Sequence, residues 1–482
     1  MIKLTKNKLG FALSSPSKLM LIAILATASP IFFSACSFQQ YVAKPIDPVA
    51  NLIKFEQKDP ASAPFHQYLL NNGYTAESLP LKHWDIDALT YCALFFHSSL
   101  DVARTQWRAA ESAEVIATEK ALPTINGNIA RSDDSDPTKK AFALGLSIDI
   151  PIETANKRDI RIENAKHLSQ VAKLEIAQTA WQLRHNIAQS LTEYQLNLQQ
   201  IQLISEEEKL HQEIVGIYQK RLSLGLASNV ELSRAKLQLL AISNALNKQK
   251  QNTQVLLAKL ASNIGLPLSK VENMPLLIDT QNQPANNLQI ASLQTESVQA
   301  TALLNRLDIR IALERYAVAE AKLKLEIAKQ YPDLVISPGY AFEFGDNVWS
   351  LGLSGLLTLL NKNKVNIIEA TQLREVQIAQ FDALQAKVMS ESSIANTEAV
   401  KAKQTLASQQ KLLEQQQINT QRKLRLLKAG EIDRLEFAFV KLENVAAEKN
   451  VASAYFQLKT ALNQLEDTLQ KPLTGAGVKN EP

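Results

Sequence analysis

Apolar positions along this chain follow two periods, and the switch between them outlines the architecture. From Leu356 to Ala429 there is neither Gly nor Pro, the residues that most reliably interrupt a helix. The composition of Ala, Gln, Leu, Glu, Lys and Ile favours helix throughout. Roughly 70 helical residues at about 1.5 Å each reach about 100 Å, far beyond a globular helix. Asp159 to Val215 is a second such run. Its later part carries a heptad line at Leu196, Leu203, Leu210, Ile217 and Leu224, which predicts coiled-coil packing. Each rod ends at a glycine, Gly225 or Gly430, and each glycine is followed by a return helix. Along the first return, Leu232, Ala235, Leu239, Ile242 and Leu246 are spaced 3-4-3-4.

Ahead of each rod the period drops to two. Phe142, Leu144, Leu146, Ile148 and Ile150 alternate with Ala143, Gly145, Ser147 and Asp149, and Ile125, Gly127 and Ile129 alternate with Asn126, Asn128 and Ala130. In the second half, Leu334, Ile336, Tyr340, Phe342 and Phe344 alternate with Val335, Ser337, Gly339, Ala341 and Glu343. A turn is expected at Gly345-Asp346-Asn347, followed by Trp349, Leu351 and Leu353. Alternation predicts strands with one apolar face and one small, polar face. Each strand is about 10 residues, a length that crosses a bilayer when tilted. A helix precedes each strand pair, over about 85–120 and about 306–330. Leu-Gly-Leu-Ser occurs at Leu144–Ser147 and again at Leu351–Ser354. The chain is therefore a repeat of helix, strand, strand, long helix and return helix. The expected organisation is 1–35 signal peptide, 36–84 N-terminal tether, 85–267 first repeat, 268–305 connector, 306–469 second repeat and 470–482 tail.

Composition adds limits. Lys3, Lys6, Lys8 and Lys18 are the only charges before Cys36, and the rest of the chain carries 48 basic and 48 acidic residues. This balance gives no support for nucleic-acid binding. The lysine-bearing start and the apolar run from Leu19 to Ala26 read as an export signal. Phe33-Ser34-Ala35-Cys36 resembles a bacterial lipoprotein cleavage site, at which Cys36 becomes the acylated N-terminus. Plain cleavage without a lipid is the alternative. Pro45, Pro48, Pro60, Pro64 and Pro80 predict an extended tether after it. The six histidines form no His-x-x-x-His pair, and the only other cysteine is Cys92. No catalytic motif, metal site or cofactor site is expected.

Four strands with a lipid-type apolar face leave unpaired edges that hydrocarbon does not tolerate. The smallest membrane barrels have eight strands, so closure requires several chains. A soluble sheet packed on helices has the same period and stays open as the alternative.

Three stretches resemble the outer-membrane efflux, or TolC-like, family. They are Trp84-Asp85-Ile86-Asp87-Ala88-Leu89 leading to Asp101-Val102-Ala103-Arg104; Pro151-Ile152-Glu153 with Lys157-Arg158; and Arg221-Leu222-Ser223-Leu224-Gly225-Leu226 through Glu231, echoed by Lys428-Ala429-Gly430 through Glu436. The opening helix and strand-to-rod junction look closest to the heavy-metal-cation branch. The resemblance implies a mainly α fold with a small β part. Long antiparallel helical hairpins would form a trimeric α-barrel continuous with a 12-stranded outer-membrane β-barrel. It implies a homotrimeric conduit in the outer membrane, extending into the periplasm and contacting a periplasmic adaptor and an inner-membrane transporter, with the lipid anchor resting on Cys36 alone. Arg221, Leu224, Gly225, Leu226, Ala429 and Gly430 would be the adaptor-contact tips, with a plain hairpin turn as the alternative. Glu231, Asp433 and Glu436 would constrict the pore, against the simpler role of first-turn acids facing the helix dipole. A periplasm-spanning coiled-coil lipoprotein and a type I protein-secretion conduit are the competing functions.

Overall fold

The computed structural model describes residues 39–133, 140–277, 295–355 and 362–473. The signal segment and Cys36 lie outside the described residues, as do parts of the first strand loop, the connector and the tail. Residues 1–54 and 55–482 form two separate units.

The helices and strands, in chain order, are α1 (Pro48–Glu56), α2 (Ala63–Asn71), α3 (Ile86–Phe96), α4 (Ser98–Thr118), β1 (Thr124–Arg131), β2 (Phe142–Ile152), α5 (Lys157–Ser223), α6 (Asn229–Ile264), α7 (Leu268–Val271), α8 (Thr295–Asn305), α9 (Leu307–Ala328), β3 (Leu334–Glu343), β4 (Asp346–Gly355), α10 (Lys364–Ala429) and α11 (Arg434–Leu469). The fold is mainly helical, with one small antiparallel sheet. The rods are α5, with 67 residues, and α10, with 66. Each pairs with a 36-residue return helix.

The sheet order is β1-β2-β3-β4, antiparallel throughout. The inner pair, β2 with β3, joins the two repeats, with Leu146 opposite Tyr340 and Ile150 opposite Ile336. Phe344 and Gly345 make the β3–β4 turn, both at positive φ. This corrects the expected turn by one position, because Asp346 already pairs with Glu343. Each strand-to-rod junction carries two successive non-glycine residues in the left-handed region: Ala155 and Asn156, then Lys362 and Asn363. The first junction is tied to the second repeat, since Lys157 Nζ donates to Asp333 Oδ1 at 2.8 Å and to the Tyr331 carbonyl at 2.6 Å.

Three expectations need correction. The single helix over 85–120 is two helices broken at His97, whose extended backbone and ring Nδ1, accepting from Ser99 N at 3.2 Å, cap α4. His97-Ser98-Ser99 offers local polar competitors to helix continuation. The proline-rich stretch expected to be extended contains α1 and α2, and Phe65 and Leu69 of α2 are fully buried. Leu69 and Phe65 join Trp84, Leu89, Ile187, Leu260 and Ile264 in one apolar cluster. Full burial of such a side chain contributes about 1.5–3 kcal/mol, which outweighs the prolines' preference for an extended chain. The heptad line also fails at its end. Leu203 is buried but Leu224 is exposed, and Ile214 and Val215 carry the core near the tips.

Candidate functional site: sheet face and hairpin tips

Two regions carry unsatisfied chemistry. The first is the sheet. Its register puts Ile125 and Ile129 beside Ile148 and Leu144, which continue to Phe342, Tyr340, Trp349 and Leu351 on one face. Trp349, Leu351 and Leu353 of that face are 81%, 76% and 71% exposed. The opposite face carries Asn126, Asn128, Gly145, Ser147, Gly339, Ser350 and Gly352. There Asn126 donates to Asp149 at 2.7 Å. β1 and β4 each have one neighbour, so both outer edges of the sheet are open in a single chain. A large apolar patch of this kind marks a membrane or partner surface.

The second region is the pair of tips. Gly225 (φ +73°) ends α5, and its N–H donates to the Leu222 carbonyl while that of Leu226 donates to Arg221. Gly430 (φ +78°) does the same for α10. A Cβ is disfavoured at this φ, so glycine sets both turns. Leu224 and Leu226 are exposed, as is Val230 one turn further on. Tip two offers Ala429 and Gly430 instead, also exposed.

The three carboxylates proposed from sequence differ in their surroundings. Glu231 closes a capping box: it accepts from Ser228 N at 2.7 Å, and Ser228 Oγ accepts from Glu231 N at 3.2 Å. The Ser228 backbone hydrogen bond, with that of its hydroxyl, holds the carboxyl below its usual pKa. Asp433 caps α11 by accepting from Glu436 N at 2.9 Å, and its other oxygen accepts from Arg221 at 2.6 Å. Its pKa is lowered mainly by the Glu436 N–H, with burial opposing and Arg221 assisting. Glu436 pairs with Lys423 at 2.7 Å. Arg221 and Asp433 therefore join the tips of the two repeats, a contact that sequence spacing does not reveal. Lys423 was not singled out in the sequence, because its partner lies across a turn. Below the tips, Ile214, Val215, Leu232 and Ala235 of the first hairpin pack with Leu435 and Ala438 of the second.

Among the described residues no group of His, Cys, Asp and Glu is arranged to hold a metal ion. No described helix is long and apolar enough to cross a membrane. Cys92 is fully buried, and burial pushes its thiol pKa up.

Residues 91–266 match the model of the outer membrane efflux protein family. That stretch, somewhat over a third of the chain, is similar to the family. The efflux-protein match ends just beyond the first hairpin, and fold comparison extends the likeness over the second. The outer-membrane channel OprN superposes with a TM-score of 0.64 at 15% identity, covering 91% of this chain and all of OprN. CusC gives 0.64 at 17% identity over 91% of this chain and 100% of that chain. VceC from Vibrio cholerae gives 0.65 at 15% identity over 81% of this chain and 97% of that chain. Among curated proteins, the cobalt-zinc-cadmium resistance protein CzcC of Cupriavidus metallidurans is 21% identical over 262 residues, 52% of this chain. That match spans 58% of CzcC's length. These relatives are channel and resistance proteins rather than enzymes.

Proposed function

We propose that this chain is the passive outer-membrane conduit of a tripartite efflux system. Three copies pool four strands each into a 12-stranded barrel, and their rods form a tunnel across the periplasm. The observation that carries this reading is a sheet with one exposed apolar face and two open edges, joined to paired rods about 100 Å long. A structural spacer has no use for such a sheet. Leu224, Gly225, Leu226, Ala429 and Gly430, with Arg221, are the proposed adaptor contacts. Beyond the adaptor, an inner-membrane transporter does the energised work. Asp433, Glu231 and Glu436 from three copies ring the periplasmic opening and favour cations. Acylated Cys36 anchors each copy in the outer membrane.

The cargo reading is heavy-metal cations, supported by the likeness to CzcC. The test is reconstitution of the mature protein in planar lipid films, with mass spectrometry of its N-terminus. A trimer with cation-preferring conductance and a diacylglyceryl-modified cysteine is expected. A freely soluble, non-conducting monomer overturns the reading. Deleting the gene should sensitise cells to cobalt, zinc or cadmium, and unchanged tolerance to all three removes the cargo assignment.

A further inference from the structure

Two stripes of exposed apolar side chains lie on opposite flanks of the paired hairpins. In the tip half the helices stand side by side in the order α6, α5, α11, α10, so α6 and α10 are the outer members. α6 buries Leu232 with Ile214 of α5, and Leu257 with Leu191 of α5. Leu237 and Val255 point elsewhere. At about 3.6 residues per turn they lie about 140° around the helix from Leu232 and about 160° from Leu257, and both are exposed. α10 buries Leu406 with Val451 and Leu458 of α11. Val400 and Ile418 each lie about 120° around α10 from Leu406 and are exposed as well. Each stripe repeats after about five turns, or about 27 Å.

Polar ties fix the heights of these stripes. Gln416 donates to Glu443 at 3.1 Å, which sets Ile418 level with Lys441, and Lys441 donates to Glu213 at 2.9 Å. Ser243 donates to Glu208 at 2.6 Å, which sets Glu213 within a residue of the level of Leu237. In the same antiparallel register Val400 is level with Lys459, which donates to Gln195 at 2.8 Å. Asn197 donates to Thr253 at 2.8 Å, which sets Gln195 level with Val255. Val400 and Val255 therefore share one height, and Ile418 and Leu237 another, on opposite flanks of one chain.

We propose that α10 of one copy packs antiparallel on α6 of the next, with Val400 against Val255 and Ile418 against Leu237. This rests on the trimer reading and adds the register and chemistry of the seam. Two different patches at matched heights on opposite flanks are what a head-to-tail ring contact requires. An adaptor helix laid on either flank needs no such match. Exposed Leu240 and Leu412 fall between the two heights and extend the contact. The sense agrees with the sheet: β1 and α6 belong to the first repeat, β4 and α10 to the second, so both closures set the first repeat of one copy against the second repeat of its neighbour. Within a chain the hairpins are tied by ion pairs, Glu213 with Lys441 and Arg221 with Asp433, whereas the seam between copies is apolar.

The experiment oxidises the full-length protein in membranes, carrying either Val255→Cys with Val400→Cys or Leu237→Cys with Ile418→Cys, and reads covalent oligomers on a denaturing gel. All four positions are exposed, so cysteine there leaves the fold intact. Each matched pair should convert monomer into linked dimer and trimer, since bridged Cα atoms lie within about 7 Å. The crossed pair, Val255→Cys with Ile418→Cys, is offset by about 27 Å and should link nothing. Linkage by the crossed pair, or a product holding another protein in place of a second copy, overturns the proposal. If cysteines in β1 and β4 link copies while neither matched pair does, the seam falls and the trimer stands. If nothing links and the protein sediments as a monomer, the trimer reading fails and this proposal falls with it.

Discussion

Arg221 and Asp433 lie 212 positions apart in the two hairpins, and their 2.6 Å ion pair ties one tip to the other. Asp433 also caps α11, so one carboxylate both starts a helix and links the repeats. Its lowered pKa sets the sign of an acid response. A depressed folded-state value means the link is intact above the ordinary carboxylate range near 3.8 and is lost as pH falls through the lower folded value. Conductance of the reconstituted channel should therefore rise only once the pH falls below the ordinary carboxylate range. Asp433→Asn keeps a capping side chain but loses the charge. It should conduct more at pH 7, by no more than about fivefold per exposed pair, and lose the acid step. Identical pH profiles for wild type and variant would remove Asp433 from the opening.

The unit of action at the next scale is the hairpin. Gly225 needs φ +73° and donates its N–H to Leu222. Proline fixes φ near −65° and has no N–H, a local cost of about 3 kcal/mol or more. Gly225→Pro should reshape the first tip while the apolar packing at Ile214, Val215 and Leu232 holds the rods together. Loss of efflux with normal membrane assembly is the expected phenotype, read by resistance assays and by the amount of trimer in membranes. Wild-type resistance would show that the tip turn is only a connector. The two tips are not equivalent: counted from the glycines, exposed Leu224 and Leu226 correspond to Ala429 and Glu431, and exposed Val230 to buried Leu435. An adaptor reading both tips would meet alternating apolar and polar contacts around the ring.

For the whole molecule the open strand edges make a geometric demand. β1 of one copy must pair with β4 of the next if the sheet closes in hydrocarbon. Cysteine pairs such as Asn128→Cys with Ser350→Cys or Ser354→Cys lie on the small, polar face of those two edge strands. Oxidation should give a covalently closed trimer on a denaturing gel, with at least one of the pairs in register. Only monomers across a scan of the two edges would rule out this closure.

The sequence by itself determined the strands, the long rods and their return helices, because period and punctuation are local. Alternation at 142–150 and 334–344 could not be helical, and the runs free of Gly and Pro at 159–215 and 356–429 could be little else. The repeat and the apolar sheet face follow from the same local rules. What only the tertiary structure decided depends on contacts between distant residues. These are the β2–β3 seam joining the repeats, the tie from Lys157 to Asp333, and the link from Arg221 to Asp433. The burial of Phe65 and Leu69 also overrode a proline-rich local signal. Periodicity records which way a side chain points along its own element, whereas pairing energy depends on which element arrives opposite, and that is set only when the chain folds.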